Sequence, residues 1–323
     1  MKFAPAVALI AGLIVTAVLI GQTGFQETGA ALAHSSWGTP LTILVRVEVV
    51  VLAGIAWSLV LPGPPTVPLH ICVKLRLIRE AVNTLLPVLQ VGGDILAVRL
   101  LTFSGTPTAL ATASVITDVL VQALTQFVFT IIGLGLLVHA GGSGPIVEAV
   151  TWGLITAVPL LAAFFIVQLG GAHGLVSKAL ARFAAGRQWQ AVGATEGVYR
   201  QLAAIQARTG PFAASAAIHL FVWVFASLEV YFVLHFMGYP VGLAEAVAIE
   251  SLAQAIRGAA FAVPGAIGVQ EGGLIILCGL FGVPPQAALA LSLIKRVGDL
   301  AVGIPGLLAW HALENRHANV KNT

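Results

Sequence analysis

Apolar blocks long enough to cross a lipid bilayer dominate this sequence of 323 residues. A helix of about 20 apolar residues spans the ~30 Å hydrocarbon core of a bilayer. Only 9% of the residues are charged, against about 25% in soluble domains. We therefore expect an all-α polytopic membrane protein, with residues 1–323 forming a single transmembrane domain. Six blocks predict transmembrane helices, at about residues 4–21, 40–62, 107–139, 145–170, 212–237 and 285–311.

Two further apolar stretches, at about 77–105 and 241–283, contain proline, glycine and charged residues. They are therefore not predicted to form continuous helices. Irregular backbone at membrane depth is tolerated only where protein buries it or where it lines a wet cavity. We therefore predict that these two stretches form re-entrant hairpins.

The two broken stretches resemble each other at a constant offset of 177 residues, which pairs Asp94 with Glu271. We assign a first repeat to 40–139 and a second repeat to 212–311, running in opposite directions through the membrane. Transporters with such inverted repeats bind their substrate where the broken helices of the two halves meet. Chance matching of glycine, proline and alanine is the alternative explanation.

Lysine and arginine are concentrated in the connections 63–104 and 171–211. The positive-inside rule places both connections in the cytoplasm, and with six spans both chain termini are then cytoplasmic as well. Charged and apolar residues alternate in 171–211, which predicts an amphipathic segment on the cytoplasmic surface. The net charge of +3 is explained by these connections, so we expect no nucleic-acid partner.

The densest polar cluster inside apolar sequence lies in the second repeat. A charge at the centre of a transmembrane helix costs about 2.5–3.5 kcal/mol, so each one is expected to be paired or to face a wet cavity. One interpretation is a site for an anionic lipid headgroup, with arginine and lysine on the phosphate and carboxylates orienting them. The other is an ion-pair network that locks the hairpin. The predicted substrate-binding residues of this cluster are Glu250, Arg257, Gln270, Glu271, Lys295, Arg296 and Asp299.

The first repeat carries a smaller set of polar residues that we also predict to bind substrate, namely Arg79, Asn83, Asp94, Asp118 and Gln122. Asp118 and Gln122 lie four residues apart and so share one helix face, which is expected to point away from lipid. For Arg79, anchoring at the cytoplasmic interface is an alternative role.

The remaining ionisable residues indicate no chemistry of their own. Arg46 and Glu48 are expected at the membrane interface, whereas Glu229 lies in the middle of a span and should face protein or water. The two cysteines, Cys72 and Cys278, have no metal-ligand spacing, and the eight histidines form no metal-binding motif. We therefore expect no metal, no cofactor and no enzymatic activity.

Two motifs connect the sequence to a known family. The stretch 79–87 with Gly92, Gly93 and Asp94, and the stretch 263–273, resemble the lysylphosphatidylglycerol synthase transmembrane family, and within it the members associated with hopanoid biosynthesis. The resemblance covers nearly the whole chain. It implies a flippase-like protein of the bacterial inner membrane that moves or handles a lipid, either a hopanoid or a phospholipid.

Family members that make aminoacylated lipids carry a separate catalytic domain, and no domain of that kind is recognised in these residues. The resemblance leaves a second function open, which is a non-catalytic membrane scaffold for lipid-synthesis enzymes. The expected partners are accordingly membrane lipid and enzymes of lipid synthesis. The sequence indicates no particular oligomeric state.

Overall fold

The computed structural model describes residues 25–62, 67–86, 91–142, 144–168, 188–260 and 263–322, together with positions 14, 18, 19, 21 and 22. Within these residues the chain is helical and contains no strand, which confirms the predicted all-α class. A short 3₁₀ turn covers Pro264–Ala266. The α-helices of the described ranges are α1 (Phe25–His34), α2 (Gly38–Leu59), α3 (Leu69–Leu85), α4 (Gly92–Thr102), α5 (Thr108–His139), α6 (Pro145–Gln168), α7 (Gln188–Gln206), α8 (Thr209–Phe236), α9 (Leu243–Ala259), α10 (Val269–Gly279) and α11 (Pro285–Asn322).

Among the described helices, α2, α5 and α8 are long and apolar enough to cross a membrane. They correspond to the predicted spans 40–62, 107–139 and 212–237, which are thereby confirmed as membrane-length helices. Large apolar side chains such as Val128 and Phe221 are exposed on their outer faces. Such apolar faces are stable against lipid tails, because the faces present no unsatisfied polar group to the lipid.

The other three predicted spans have different outcomes. The first, 4–21, lies almost entirely outside the described residues. The span at 145–170 forms α6, which contains Pro159, and the span at 285–311 forms part of α11, which contains Pro305 and several charged residues. The count of six transmembrane helices stays a prediction.

Both broken stretches are interrupted in the structure. In the first, α3 ends at Leu85 and α4 begins at Gly92. Leu86 is extended, with φ −104° and ψ 149°, as expected for a residue that precedes proline; Pro87 itself lies outside the described residues. In the second, the chain turns at Gly265 with φ 60°, a left-handed conformation that glycine adopts without strain. The description of both as re-entrant stays a prediction.

The helix bounds follow the 177-residue offset. Helix α4 covers 92–102 and α10 covers 269–279, while α5 begins at residue 108 and α11 at residue 285. The packing follows the same relationship, because α3 packs against α11 and α9 packs against α5. We call α3 with α4 the first hairpin and α9 with α10 the second hairpin. Each hairpin therefore packs against the long helix that follows the other hairpin, and α2 packs against α8.

Each half has its own apolar core. Trp57 and Ile78 belong to the core of the first half, and Ile249 and Leu274 belong to that of the second. Helix α7 packs against α5 and contributes the buried Leu202 to the first core. The preceding part of the predicted amphipathic segment, residues 171–187, lies outside the described residues.

Candidate functional site

Lys295 on α11 lies at the centre of the most enclosed group of charges. Its ammonium donates to Glu229 Oε2 of α8 at 2.7 Å and to Glu250 Oε2 of α9 at 2.9 Å. Arg46 of α2 donates to the same oxygen of Glu229 at 2.9 Å, and its guanidinium lies 3.5 Å from Asp299 Oδ1 of α11. We call these five residues the central network; it connects four helices.

The central network is almost completely buried. The side chains of its members are between 1% and 9% exposed. Removing one partner from a buried ion pair costs about 3–5 kcal/mol, because the other charge is left buried and uncompensated. This geometry favours the ion-pair interpretation for Lys295 and Glu250, whose charged groups are already occupied by each other.

Arg257 of α9 lies at the edge of the central network and is bound much more loosely. It pairs with Asp299, whose Oδ2 lies 3.9 Å from Arg257 Nη1. The Arg257 side chain is 15% exposed. Its guanidinium donates no hydrogen bond to any described residue. Gln254, one turn earlier on α9, donates to Glu250 Oε1 at 2.8 Å. Among the described residues, Arg257 therefore keeps its guanidinium donors available for a ligand.

A second group of buried polar side chains converges on Asp118 of α5. Its Oδ2 accepts from Arg79 of α3, from Gln122 Nε2 at 2.7 Å and from Arg76 Nη1 of α3 at 3.3 Å. Its Oδ1 lies 3.0 Å from His219 Nε2 of α8. We call these five residues the Asp118 network. The inward orientation predicted for Asp118 is confirmed, since the residue is fully buried.

Arg79 also joins the two helices of the first hairpin. Its guanidinium pairs with Asp94 of α4, and Asn83 Oδ1 accepts the Gly93 N–H at 2.7 Å. A Cβ atom at Gly93 would overlap the Arg79 carbonyl oxygen, so only glycine permits this approach of α4 to α3. The side chain of Arg79 is buried in these ion pairs, which favours a role within the protein over the alternative role as an anchor at the membrane interface. Arg99 is the exposed arginine of this hairpin.

Glu271 organises the second hairpin. Its Oε2 accepts the Gly268 N–H at 2.6 Å, which caps the start of α10. Its Oε1 accepts from Arg296 Nε of α11 at 3.2 Å, and Arg296 Nη1 donates to the Gly265 carbonyl oxygen at 2.5 Å. Asp94 and Glu271 are thus each paired with an arginine, but that arginine comes from α3 in the first hairpin and from α11 in the second.

The two hairpins contact each other at their turns. A Cβ atom placed on Gly265 would lie 3.3 Å from the Thr84 carbonyl oxygen near the end of α3. A groove of about 610 Å³ lies beside the first hairpin. It is lined by Leu69, His70, Val73, Lys74, Leu77 and Ala309.

Every residue predicted to bind substrate lies in the described part of the chain, and the structure divides these residues among four positions. One of them, Arg257, lies at the edge of the central network. That the predicted residues bind substrate stays a prediction. The central network contains Glu250, Lys295 and Asp299; the first hairpin and α5 bring together Arg79, Asn83, Asp94, Asp118 and Gln122; the second hairpin and α11 bring together Gln270, Glu271 and Arg296.

Sequence reasoning placed Arg46 wrongly and missed Arg76 and His219 as members of the Asp118 network. Arg46 was expected at the interface, but it is buried and paired with Glu229; the expectation that Glu229 faces protein is confirmed. His219 belongs to no motif and was not predicted to belong to a site. The signal that could have found it is its position inside a membrane-length apolar helix, where a polar residue that can ionise is uncommon.

The described residues contain no group of three or more histidine, cysteine, aspartate or glutamate side chains that could hold a metal ion. Cys72 and Cys278 are both free and buried.

A family model described as "Lysylphosphatidylglycerol synthase TM region" matches residues 5–306, which include both hairpins and both networks. No curated protein and no solved structure shows a significant match to the chain.

Proposed function

Because the chain belongs to the lysylphosphatidylglycerol synthase TM region family, we propose that it is a flippase-like lipid transporter. Its substrate is a phospholipid or a hopanoid with a polar headgroup, and its membrane is the inner membrane of a bacterium. The headgroup passes between the two hairpins while the apolar tail stays in the bilayer. No chemical step is part of this proposal.

The loosely paired Arg257 is the observation that carries the proposal. Lys295 has two carboxylates within 3.0 Å, and Arg296 is bound to Glu271 and to the Gly265 carbonyl. Among the described residues, Arg257 pairs with a single carboxylate, that of Asp299 at 3.9 Å. A guanidinium with free donors binds the oxygens of a phosphate or carboxylate in bidentate geometry, so Arg257 is the residue best suited to contact an anionic headgroup.

The arrangement of the hairpins supports a path at this position. Substrate sites of transporters with inverted repeats lie where broken helices meet, and here the turn at Gly265 contacts the end of α3 at Thr84. The groove beside the first turns of α3 is lined by four apolar side chains together with those of His70 and Lys74. An apolar groove bordered by a cation suits a lipid whose tail is apolar and whose headgroup is anionic.

Transfer of a fluorescent phospholipid in reconstituted vesicles tests the proposal. Dithionite added outside bleaches only the outer leaflet, so the rate at which the protected signal decays reports transfer. We expect transfer by the wild-type protein and a loss of about 10-fold or more in Arg257→Gln, which is the effect of about 1.4 kcal/mol. The matched control is Arg99→Gln, since Arg99 is exposed and paired with Glu314.

Equal transfer rates for Arg257→Gln and the wild type would overturn the assignment of Arg257. Absence of transfer by the wild-type protein, with a hopanoid or a phospholipid as substrate, would overturn the transporter function. Co-purification of a lipid-synthesis enzyme with such an inactive protein would then favour the scaffold function.

A further inference from the structure

The contact between His219 and Asp118 has the geometry of a proton-binding pair. Asp118 Oδ2 accepts from two arginines and an amide, so the carboxylate is ionised and can only accept hydrogen bonds. His219 Nε2, at 3.0 Å from Asp118 Oδ1, must therefore donate. The other ring nitrogen, Nδ1, makes no hydrogen bond to any described residue and is the atom on which an added proton would lie.

A buried hydroxyl without a partner lies close to His219 along the helix. Ser215 is four residues earlier on α8 and therefore on the same face. Its side chain is fully buried, and its Oγ has no hydrogen-bond partner within the described part of the chain. A buried polar group without a partner requires an explanation. A hydroxyl both donates and accepts, so Ser215 is suited to hold a water molecule between its Oγ and Nδ1.

The ion pairs linked to Asp118 carry a net charge that one proton on His219 neutralises. Arg76 and Arg79 of α3 are positive, whereas Asp118 of α5, Asp94 of α4 and Glu80 of α3 are negative. A neutral imidazole leaves this group with one negative charge, and an imidazolium makes it neutral. The described residues of α2, α7, α9 and α11 place no carboxylate within 4.0 Å of the imidazole. Uncompensated charge is costly at membrane depth.

His219 is connected to both hairpins through a chain of contacts. Asp118 holds Arg79 on α3, and α3 ends near Thr84, whose carbonyl contacts the turn at Gly265. A proton on His219 competes with Arg79 for the charge of Asp118. Protonation therefore changes how firmly the first hairpin is held at the point where it meets the second.

We propose that His219 and Asp118 form a proton-binding site, with the proton on His219 Nδ1, and that its occupancy is coupled to movement of the lipid headgroup. The coupling rests on the proposed transport function; the proton site does not. A transmembrane proton gradient would then drive transport, because the site takes a proton from one side and releases it to the other.

The proton site is tested by ¹⁵N NMR of histidine-labelled wild-type protein in detergent micelles. The His219 signal is the one that is absent from His219→Gln or, if that variant does not fold, the one that shifts in Ser215→Ala. We expect the spectra to show this imidazole in both its neutral and its charged form across the pH range in which the protein stays folded. A single protonation state throughout this range would overturn the proton site.

The coupling is tested by lipid transfer in vesicles with and without an imposed pH gradient. We expect the gradient to accelerate transfer several-fold in the wild-type protein, and this ratio to fall to one in His219→Gln. The matched control is His235→Gln, on the same helix, because the His235 side chain is exposed; it should keep the wild-type ratio. A wild-type ratio of one, or an unchanged ratio in His219→Gln, would overturn the coupling.

These outcomes separate the two proposals. A wild-type protein that transfers lipid at the same rate with and without the gradient retains the transporter function and loses the coupling. A wild-type protein that transfers no lipid loses the transporter function and with it the coupling, while the NMR titration still decides whether His219 binds a proton.

Discussion

Asp118 and Lys295 lie 177 residues apart, each at the eleventh position of its helix, and each is the buried charge on which the ion pairs of its surroundings converge. Asp118 is the anion that two arginines of α3 approach. Lys295 is the cation between two glutamates of α8 and α9. The two halves therefore place charge at the same position of α5 and α11, but with opposite sign.

Neutralising Lys295 should destabilise the fold. In Lys295→Met, Glu229 and Glu250 lose their shared cation, and we expect a loss of about 3–5 kcal/mol in the free energy of unfolding. Chemical denaturation in detergent, followed by tryptophan fluorescence, measures it. The matched control is Lys74→Met, because Lys74 forms no ion pair with any described residue. A difference below about 1 kcal/mol between the two variants would contradict the importance given to the central network.

Glycine at position 93 should be required for packing of the first hairpin. A Cβ atom there overlaps the Arg79 carbonyl oxygen, so Gly93→Ala must separate α4 from α3 and should cost about 1–3 kcal/mol. Gly272→Ala is the control, since this glycine of α10 has open space around its Cβ position and alanine favours the helix by up to about 1 kcal/mol. Thermal unfolding of both variants measures the effect. Equal stability of the two would show that α4 packs differently.

Glu271 should contribute both a helix cap and an ion pair. Glutamine retains an oxygen for the Gly268 N–H but not the charge beside Arg296, whereas alanine removes both. We expect Glu271→Ala to be less stable than Glu271→Gln by about 0.5–2 kcal/mol, the usual value of a cap. Glu245 is the matched control because it caps α9 at Gly242 by the same bond, at 2.7 Å, and forms no ion pair with the described residues.

Substitution of Glu245 by glutamine should therefore be neutral, and substitution of Glu271 by glutamine should not. If both glutamine variants were as stable as the wild-type protein, the bond between Glu271 and Arg296 would contribute nothing to the hairpin. Differential scanning fluorimetry of the four variants in one detergent provides the comparison.

The orientation predicted from the positive-inside rule can be read by cysteine labelling. Cys72 and Cys278 are fully buried, so a membrane-impermeant maleimide should leave the wild-type protein unlabelled in spheroplasts. We expect His139→Cys to react in intact spheroplasts and Arg200→Cys to react only after permeabilisation. Both residues are exposed. His139 lies beside the connection 140–144, which has no lysine or arginine, whereas Arg200 lies in the connection 171–211, which is rich in them and is therefore predicted to be cytoplasmic. Labelling of Arg200→Cys in intact spheroplasts would reverse the orientation.

Local features of the sequence predicted the positions of the helix breaks. The residue before Pro87 is extended and Gly265 has a positive φ, and both follow from the backbone preferences of proline and glycine alone. The recurrence of an acidic residue at Asp94 and Glu271 was likewise readable, since it depends only on spacing. The arginine that pairs with each was not, because Arg79 comes from within the same hairpin and Arg296 from a different helix.

What the sequence by itself determined is the solvent of this protein and the places where its helices stop. Its apolar blocks and its scarcity of charge require lipid, and they favour burial of charged side chains within the long helices, as for Asp118 and Glu229, since exposing them to lipid is costly. Only the tertiary structure decided which charges meet. Arg46 and Glu229 are separated by 183 residues, and Asp118 and His219 by 101. Such pairs depend on how α2, α5 and α8 pack together, and no local pattern of residues specifies that packing.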